Sequence, residues 1–426
     1  MKKIMNNRNM IMVVAGQLVS VFGNSVLRFA LPLYILDTTG SAAVFGTVLA
    51  VSGIPSILFS PVGGILADRV SKRNIMVILD AIAALIILIS TILMNTGYLI
   101  FVISVMMVLL SGIQALYQPS VQAILPEITE KSKLDKANST VSMVNALSNL
   151  MAPLAAGMLY GAFGIIPIMV TGVVCFASAS FMELFISART GRIQQRGSVL
   201  GIIKGDLSKS SKYIVNENPV LLSVIIVVSL INLMLTSMIV VGLPTMIKVT
   251  LGLSDQLYGV TQGFVAIGMI AGGTLAYTIN KKIKIQKVYL LLVSICFAML
   301  PVGMVFSLNL PAMASFWIIS ISVSVMMMLV TMFSIKMMTF VQKNTPAAIM
   351  GKVISFIMMM TKFTLPVGQA MFGYLFDLFG NHMNIIVFAS AICSSLTAVY
   401  SKRAFSRFRD TSSVGSKYVV LPASVD

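Results

Sequence analysis

The sequence predicts an all-α membrane protein of twelve transmembrane helices in two pseudo-symmetric six-helix bundles, and three observations lead there. Of 426 residues, 58% are hydrophobic and only 10% are charged, against roughly a quarter charged in an ordinary soluble domain. The apolar residues fall into twelve stretches, each long enough to cross a hydrocarbon core about 30 Å thick, which takes roughly 20 helical residues at about 1.5 Å rise. The basic residues, which give a net charge of +17, gather in short segments between those stretches. That distribution excludes a nucleic-acid partner and makes the lipid bilayer the chain's solvent.

Lys2, Lys3 and Arg8 precede the first span, Met10 to Leu36, which is too long for a signal-peptide core and has no small-residue cleavage site, so no removal is expected. The second, Ala43 to Leu66, is followed by Arg69, Lys72 and Arg73. Ile75 to Met94 and Leu99 to Leu125 come next and end at Lys131, Lys133 and Lys136. Ala137 to Tyr160 and Ile165 to Ile186 complete the first half, closed by Arg189, Arg192, Arg196, Lys204, Lys209 and Lys212. Val220 to Leu243 and Tyr258 to Ile279 lead to Lys281, Lys282, Lys284 and Lys287. Val288 to Leu308 and Pro311 to Ile335 lead to Lys343, and Met350 to Phe376 and Asn384 to Tyr400 lead to Lys402, Arg403, Arg407, Arg409 and Lys417. The opposite loops contribute only Lys248. Positive segments resist translocation, so both termini are expected in the cytoplasm, with some attraction of the basic loops to anionic lipid.

The expected organisation is a first bundle over 1–187, a cytoplasmic linker over 188–218, a second bundle over 219–403 and a basic cytoplasmic tail over 404–426. An internal repeat supports the two halves. Gly63-Gly64-Ile65-Leu66-Ala67 recurs as Gly272-Gly273-Thr274-Leu275-Ala276 at an offset of 209. Leu31-Pro32 recurs as Leu243-Pro244, Phe45-Gly46 as Tyr258-Gly259, and Pro153 with Met158 as Pro366 with Met371, at offsets of 212, 213 and 213. In the linker, Val199, Ile202, Ile203 and Leu207 have the spacing of a short amphipathic helix on the membrane surface.

Chemistry-bearing motifs are few. Cys175, Cys296 and Cys393 lie in separate apolar runs as packing residues, and His382 has no cysteine or second histidine as partner, so neither a metal nor another cofactor is expected. The nearest fragment to a phosphate-binding loop, Gly351-Lys352-Val353, lacks the earlier Gly and the hydroxyl, which argues against an ATP-driven pump. No nucleophile, metal set or carboxylate pair marks an enzyme.

Polar stripes stand out against this background. Gln17, Ser20, Asn24 and Arg28 share a face of span one; Ser104, Ser111, Gln114, Gln118 and Gln122 mark span four. Ser229, Asn232 and Thr236 mark span seven, and Ser320, Ser324, Met327, Thr331 and Ser334 span ten. Ser and Thr serve helix packing equally well, whereas Gln114, Gln118 and Asn24 favour a cavity. A midspan cation costs about 2.5–3.5 kcal/mol on insertion scales, so Arg28 in span one and Lys362 in span eleven should face water, a partner or an anionic or zwitterionic substrate group. Arg28 paired with Asp37, and Lys362 snorkelling to the interface, are the competing readings. The acids Asp80 and Glu183 lie near one end of spans three and six; pairing with loop cations is one reading, and a gate or coupling role for Asp80 the other.

Gly64, Asp68, Arg69, Lys72 and Arg73 resemble the signature that follows the second span in the major facilitator superfamily, with Ser71 in place of its usual second Gly. Ala15-Gly16-Gln17, Thr39-Gly40-Ser41-Ala42, Lys212-Tyr213-Ile214 and Asn218-Pro219 resemble its macrolide-efflux and enterobactin-exporter branch. The resemblance covers most of the chain. It implies a bacterial inner-membrane, multi-pass, monomeric antiporter that exports amphipathic small molecules, drug- or siderophore-like, by alternating access driven by a proton or other coupling cation. It also implies a cavity between spans one, four, seven and ten, with Gln17, Asn24, Arg28, Gln114, Gln118, Asn232, Thr236, Ser324, Met327 and Lys362 as candidates. The Gly64–Arg73 motif would latch the cytoplasmic gate through bonds between Asp68 and nearby cations, or merely cap and orient the loop; Tyr277 replaces the acid in the second copy. The fourth-span Arg of some family antiporters is missing from Phe101 to Pro126, so the usual proton relay is not supported. A lipid flippase, a nutrient importer and a non-transporting sensor are the alternatives on the same fold.

Overall fold

A computed structural model describes residues 2–94, 97–129, 134–187, 205, 208, 210–279, 284–346, 349–380 and 382–406. Among the described residues, twelve helices are long and apolar enough to cross a membrane. They are α1 (Lys2–Thr39), α2 (Ala42–Arg69), α3 (Lys72–Leu93), α4 (Leu99–Ile128), α5 (Leu134–Phe163) and α6 (Ile165–Glu183). The second half holds α7 (Pro219–Thr250), then α8 (Asp255–Ile279), α9 (Tyr289–Ser307), α10 (Ala312–Lys343), α11 (Met350–Leu378) and α12 (Met383–Ser406). Each expected span is present, and several extend beyond the apolar stretch: hydropathy marks only the hydrocarbon, while backbone hydrogen bonding continues past it. The amphipathic linker residues Val199, Ile202, Ile203 and Leu207 lie outside the described residues.

α3 shows why these helices need lipid. Ile78, Ile82, Leu85, Ile89 and Ile92 are exposed along one stripe, while Ile75, Met76, Asp80, Ala83, Ile87 and Ser90 are buried on the other. An uninterrupted apolar outer stripe is what a hydrocarbon solvent permits and water does not. α7 departs from expectation. It is interrupted by π-turns at Asn232–Thr236 and Thr245–Thr250, a backbone change that hydropathy does not encode and that concentrates at functional sites. A single residue, Gly164 at φ +75°, turns α5 into α6, a conformation that only glycine adopts without cost.

By contacts, the described residues form two compact units. The first comprises those of Met1–Lys204, Leu243–Gly263 and Gln369–Asp377, and the second those of Gly205–Gly242, Phe264–Gly368 and Leu378–Asp426. In the first, α1 packs on α5 and α6, α2 on α4, and α3 on α4 and α6. In the second, α9 packs on α10 and α12, as α3 does on α4 and α6. The repeat is also legible in close crossings. A Cβ on Gly63 would lie 2.6 Å from the Ala115 carbonyl of α4, and one on Gly272 2.3 Å from the Met328 carbonyl of α10. Two glycines at one sequence offset thus do the same job, admitting the neighbouring backbone.

Candidate functional site

Segments from both repeats meet inside the first unit, at the end away from Lys72 and Arg73. Gly46 of α2 crosses α11 so closely that an added Cβ would lie 2.4 Å from the Gln369 carbonyl, and Gly157 of α5 faces Gly259 of α8 at 3.1 Å. Asp377 caps the start of α2, accepting from the Ala42 N–H at 2.6 Å and the Ser41 hydroxyl at 2.5 Å; an acid there also suits the helix dipole. Beside these crossings Lys248 forms ion pairs with both Asp37 and Asp255. Tyr160 donates to Asp37 at 2.6 Å, and the Lys248 ammonium lies 5.5 Å from the Tyr160 ring centre. The Lys248 side chain is only 10% exposed, so this clasp exchanges its hydration for two carboxylates and an aromatic face. Asp37 therefore pairs with Lys248 and not with Arg28.

A second polar cluster lies inside the same unit, between α1, α3, α4 and α6. Asp80 and Glu183 are 1% and 0% exposed. Ser20 donates to Asp80 Oδ1 at 3.1 Å, and Tyr117 donates to Glu183 Oε1 at 2.6 Å. The expected pairing with loop cations is corrected: among the described residues no cation bonds either acid. Lys72 instead pairs with Glu127 at 2.7 Å, and Arg73 donates to the Leu184 carbonyl at the end of α6. Gln17, fully buried, has neither amide atom bonded among the described residues. Tyr117 carried no sequence signal, since an aromatic in an apolar run reads as packing.

The remaining candidates fall into three settings. Arg28 is exposed, Gln114 and Gln118 are half-buried, and Asn24 is buried on the same stripe as Gln17. In the second unit Asn232 donates to the Thr361 carbonyl at 2.9 Å and Thr236 to Asn232 at 3.4 Å, tying the π-turn of α7 to α11. Ser324 and Met327 are half-buried on α10, and Lys362 is exposed on α11. Of the gate motif, Gly64, Asp68 and Arg69 lie on the last turns of α2, and their side chains are outside the described set.

Comparison with known proteins adds three findings. A Major Facilitator Superfamily profile matches residues 13–368. Over 147 residues the chain is 27% identical to macrolide efflux protein A of Streptococcus pyogenes, covering 34% of this chain and 36% of that protein. Over 183 residues it is 26% identical to the multidrug resistance protein MdtG of Escherichia coli, covering 42% and 44%. The chain thus spans less than half the length of the curated relatives it matches. Among solved structures, a bacterial homologue of the iron transporter ferroportin in an inward-facing state aligns at TM-score 0.76 with 17% identity, covering 94% of this chain and 99% of that one. The nucleoside transporter NupG aligns at 0.71 with 16% identity, covering 93% and 99%. At these identities the likeness is one of fold.

Proposed function

From the premise that the chain belongs to the Major Facilitator Superfamily, a family of multi-pass membrane transporters and not of enzymes, we propose that it exports amphipathic small molecules by alternating access, driven by a proton or other cation gradient. The observation that carries alternating access is the Lys248 clasp. It ties Asp37 of the first repeat to Lys248 of α7 and, through it, to Asp255 at the start of α8, and such bonds can be broken and remade as the access side changes. Export is supported by the names of the two partial relatives. The orientation with both termini in the cytoplasm of a bacterial cell rests on the alternation of basic loops, and puts the clasp on the outer face.

Arg28 of the first unit and Lys362 of the second are exposed cations well inside their spans. With no described acid paired to either, each favours substrates carrying an anionic or zwitterionic group. Proteoliposomes given a pH gradient should move anionic amphiphiles, and Arg28→Gln and Lys362→Gln should each reduce that movement about tenfold, the loss of roughly one charge-assisted contact. Transport confined to cations, or unchanged in both variants, refutes the substrate class; no movement of any amphiphile refutes export.

A further inference from the structure

The acids between α1, α3, α4 and α6 each accept from one hydroxyl: Ser20 donates to Asp80, and Tyr117 donates to Glu183. α1 runs beside both carboxyls: Ser20 meets Asp80, and Gly16 faces Glu183, its Cβ position 3.2 Å from Glu183 Cγ. Those two positions are one turn apart, about 6 Å, and Gln17 lies between them. Each carboxyl uses one oxygen; Asp80 Oδ2, Glu183 Oε2 and both Gln17 amide atoms are buried with no bond among the described residues. Buried polar atoms are rarely left unused, and two carboxylates ionised together at this depth, unpaired, carry a heavy burial cost.

We propose that Asp80 and Glu183, each held by one hydroxyl, form a proton-binding site, and that it carries the coupling proton of the transport reaction proposed above, on which the coupling part rests. The proton bonds to an unused oxygen, Oδ2 of Asp80 or Oε2 of Glu183, neutralising that acid, and leaves from the same oxygen on release. The surrounding charges fit such a site with a mobile counter-ion. α3 brings Lys72, which is held by Glu127 of α4, and Arg73, whose Nε is buried without a described partner while its terminal nitrogen bonds Leu184. α1 brings Arg28 two turns further along, exposed, and α6 brings Cys175, which packs near Gly23. When Glu183 gives up its proton, Arg73 is the cation next to it in the fold, and drawing it off the Leu184 carbonyl ties proton release to the basic end of α3.

Infrared difference spectra of the purified full chain across a pH titration read the site without any substrate. The expected result is a protonated-carboxyl band that titrates with pH and shifts when aspartate is labelled with carbon-13. It should lose at least half its amplitude in Asp80→Asn or Glu183→Gln, and keep it in Glu217→Gln, an exposed acid elsewhere. If one variant does not fold, the other and the labelled wild type decide. A spectrum with no buried carboxyl band, or one unchanged in both variants, overturns the proton site. In proteoliposomes, pH-gradient-driven movement of a macrolide and an anionic amphiphile should fall at least tenfold in both variants. A sodium gradient that drives wild type while a pH gradient does not overturns the coupling role. If wild type moves neither compound, the export reading fails, and the spectra still decide the proton site.

Discussion

The first unit holds two clusters of acids that solve the problem of carboxylates in a membrane protein in opposite ways. Asp37 and Asp255 share a lysine and, for Asp37, a tyrosine hydroxyl; Asp80 and Glu183 have hydroxyl partners and no described cation. A cluster with a fixed cation is held by charge, can open only by separating charges, and suits a latch. A cluster neutralised without a cation can change its charge by one proton while its helices stay packed, and suits a coupling site. The comparison teaches that chemical role follows the partner and not the acid, because all four residues are carboxyls at helix positions that hydropathy treats alike.

Removing the lysine is the most severe way to break this contrast. Lys248→Gln leaves Asp37 and Asp255 close together without their cation. Breaking a fully buried pair costs about 3–5 kcal/mol, but the acids here are 30% and 21% exposed, so solvent screening reduces the expected effect to about 2–3 kcal/mol. That is roughly a 30- to 150-fold shift towards the unclasped form. On a background lacking Cys175, Cys296 and Cys393, a cysteine placed at Ala42, 1% exposed in the clasped form, should label correspondingly faster with a membrane-impermeant thiol reagent. Restoring slow labelling with Asp37→Lys combined with Lys248→Asp would sharpen the reading; unchanged labelling in Lys248→Gln would end it.

The two tyrosines provide a smaller and more discriminating comparison. Tyr117→Phe strips the described donor from a fully buried Glu183, and leaving a buried acceptor unpaired costs about 1–3 kcal/mol. Tyr160→Phe removes a donor from Asp37, which keeps Lys248, so its cost should stay below about 1 kcal/mol. Thermal unfolding of the purified protein should therefore show the larger drop for Tyr117→Phe. The reverse order would mean that the clasp depends on the hydroxyl and the buried pair does not.

Most of the fold was legible because a bilayer imposes simple demands. The stripe Ile78, Ile82, Leu85, Ile89 and Ile92 reads directly as a lipid face, and the duplication that Gly63 and Gly272 mark is matched by two crossings of one kind, each against a carbonyl. The site was legible only in its ingredients. Lys248 stood out as the lone cation of its loops, and Asp37 was in view as a partner for Arg28. Its bond to Asp37 spans 211 positions, and no local spacing announces a contact of that range. Asp80 and Glu183 were read as shallow acids near loop cations, since depth along a helix is visible in sequence while the facing helix is not. The π-turns of α7 escaped because they depend on which carbonyl each N–H selects, and side-chain hydropathy does not specify that choice.

Salt supplies the smallest effect and the cleanest separation of the two clusters. Raising ionic strength from about 0.1 to 1 M shortens the Debye length from about 10 Å to 3 Å. Ions can reach the partly exposed clasp but not the second cluster, where Asp80, Glu183, Tyr117 and Gln17 are all essentially buried. Labelling at position 42 should therefore quicken by a few-fold with salt, equivalent to less than about 1 kcal/mol, and that increment should vanish in Lys248→Gln. The carboxyl band of the buried pair should hold its position and amplitude over the same range. A salt response of that band in step with labelling would mean that solvent ions enter the buried cluster, and the distinction between a charge-held latch and a proton-binding site would collapse.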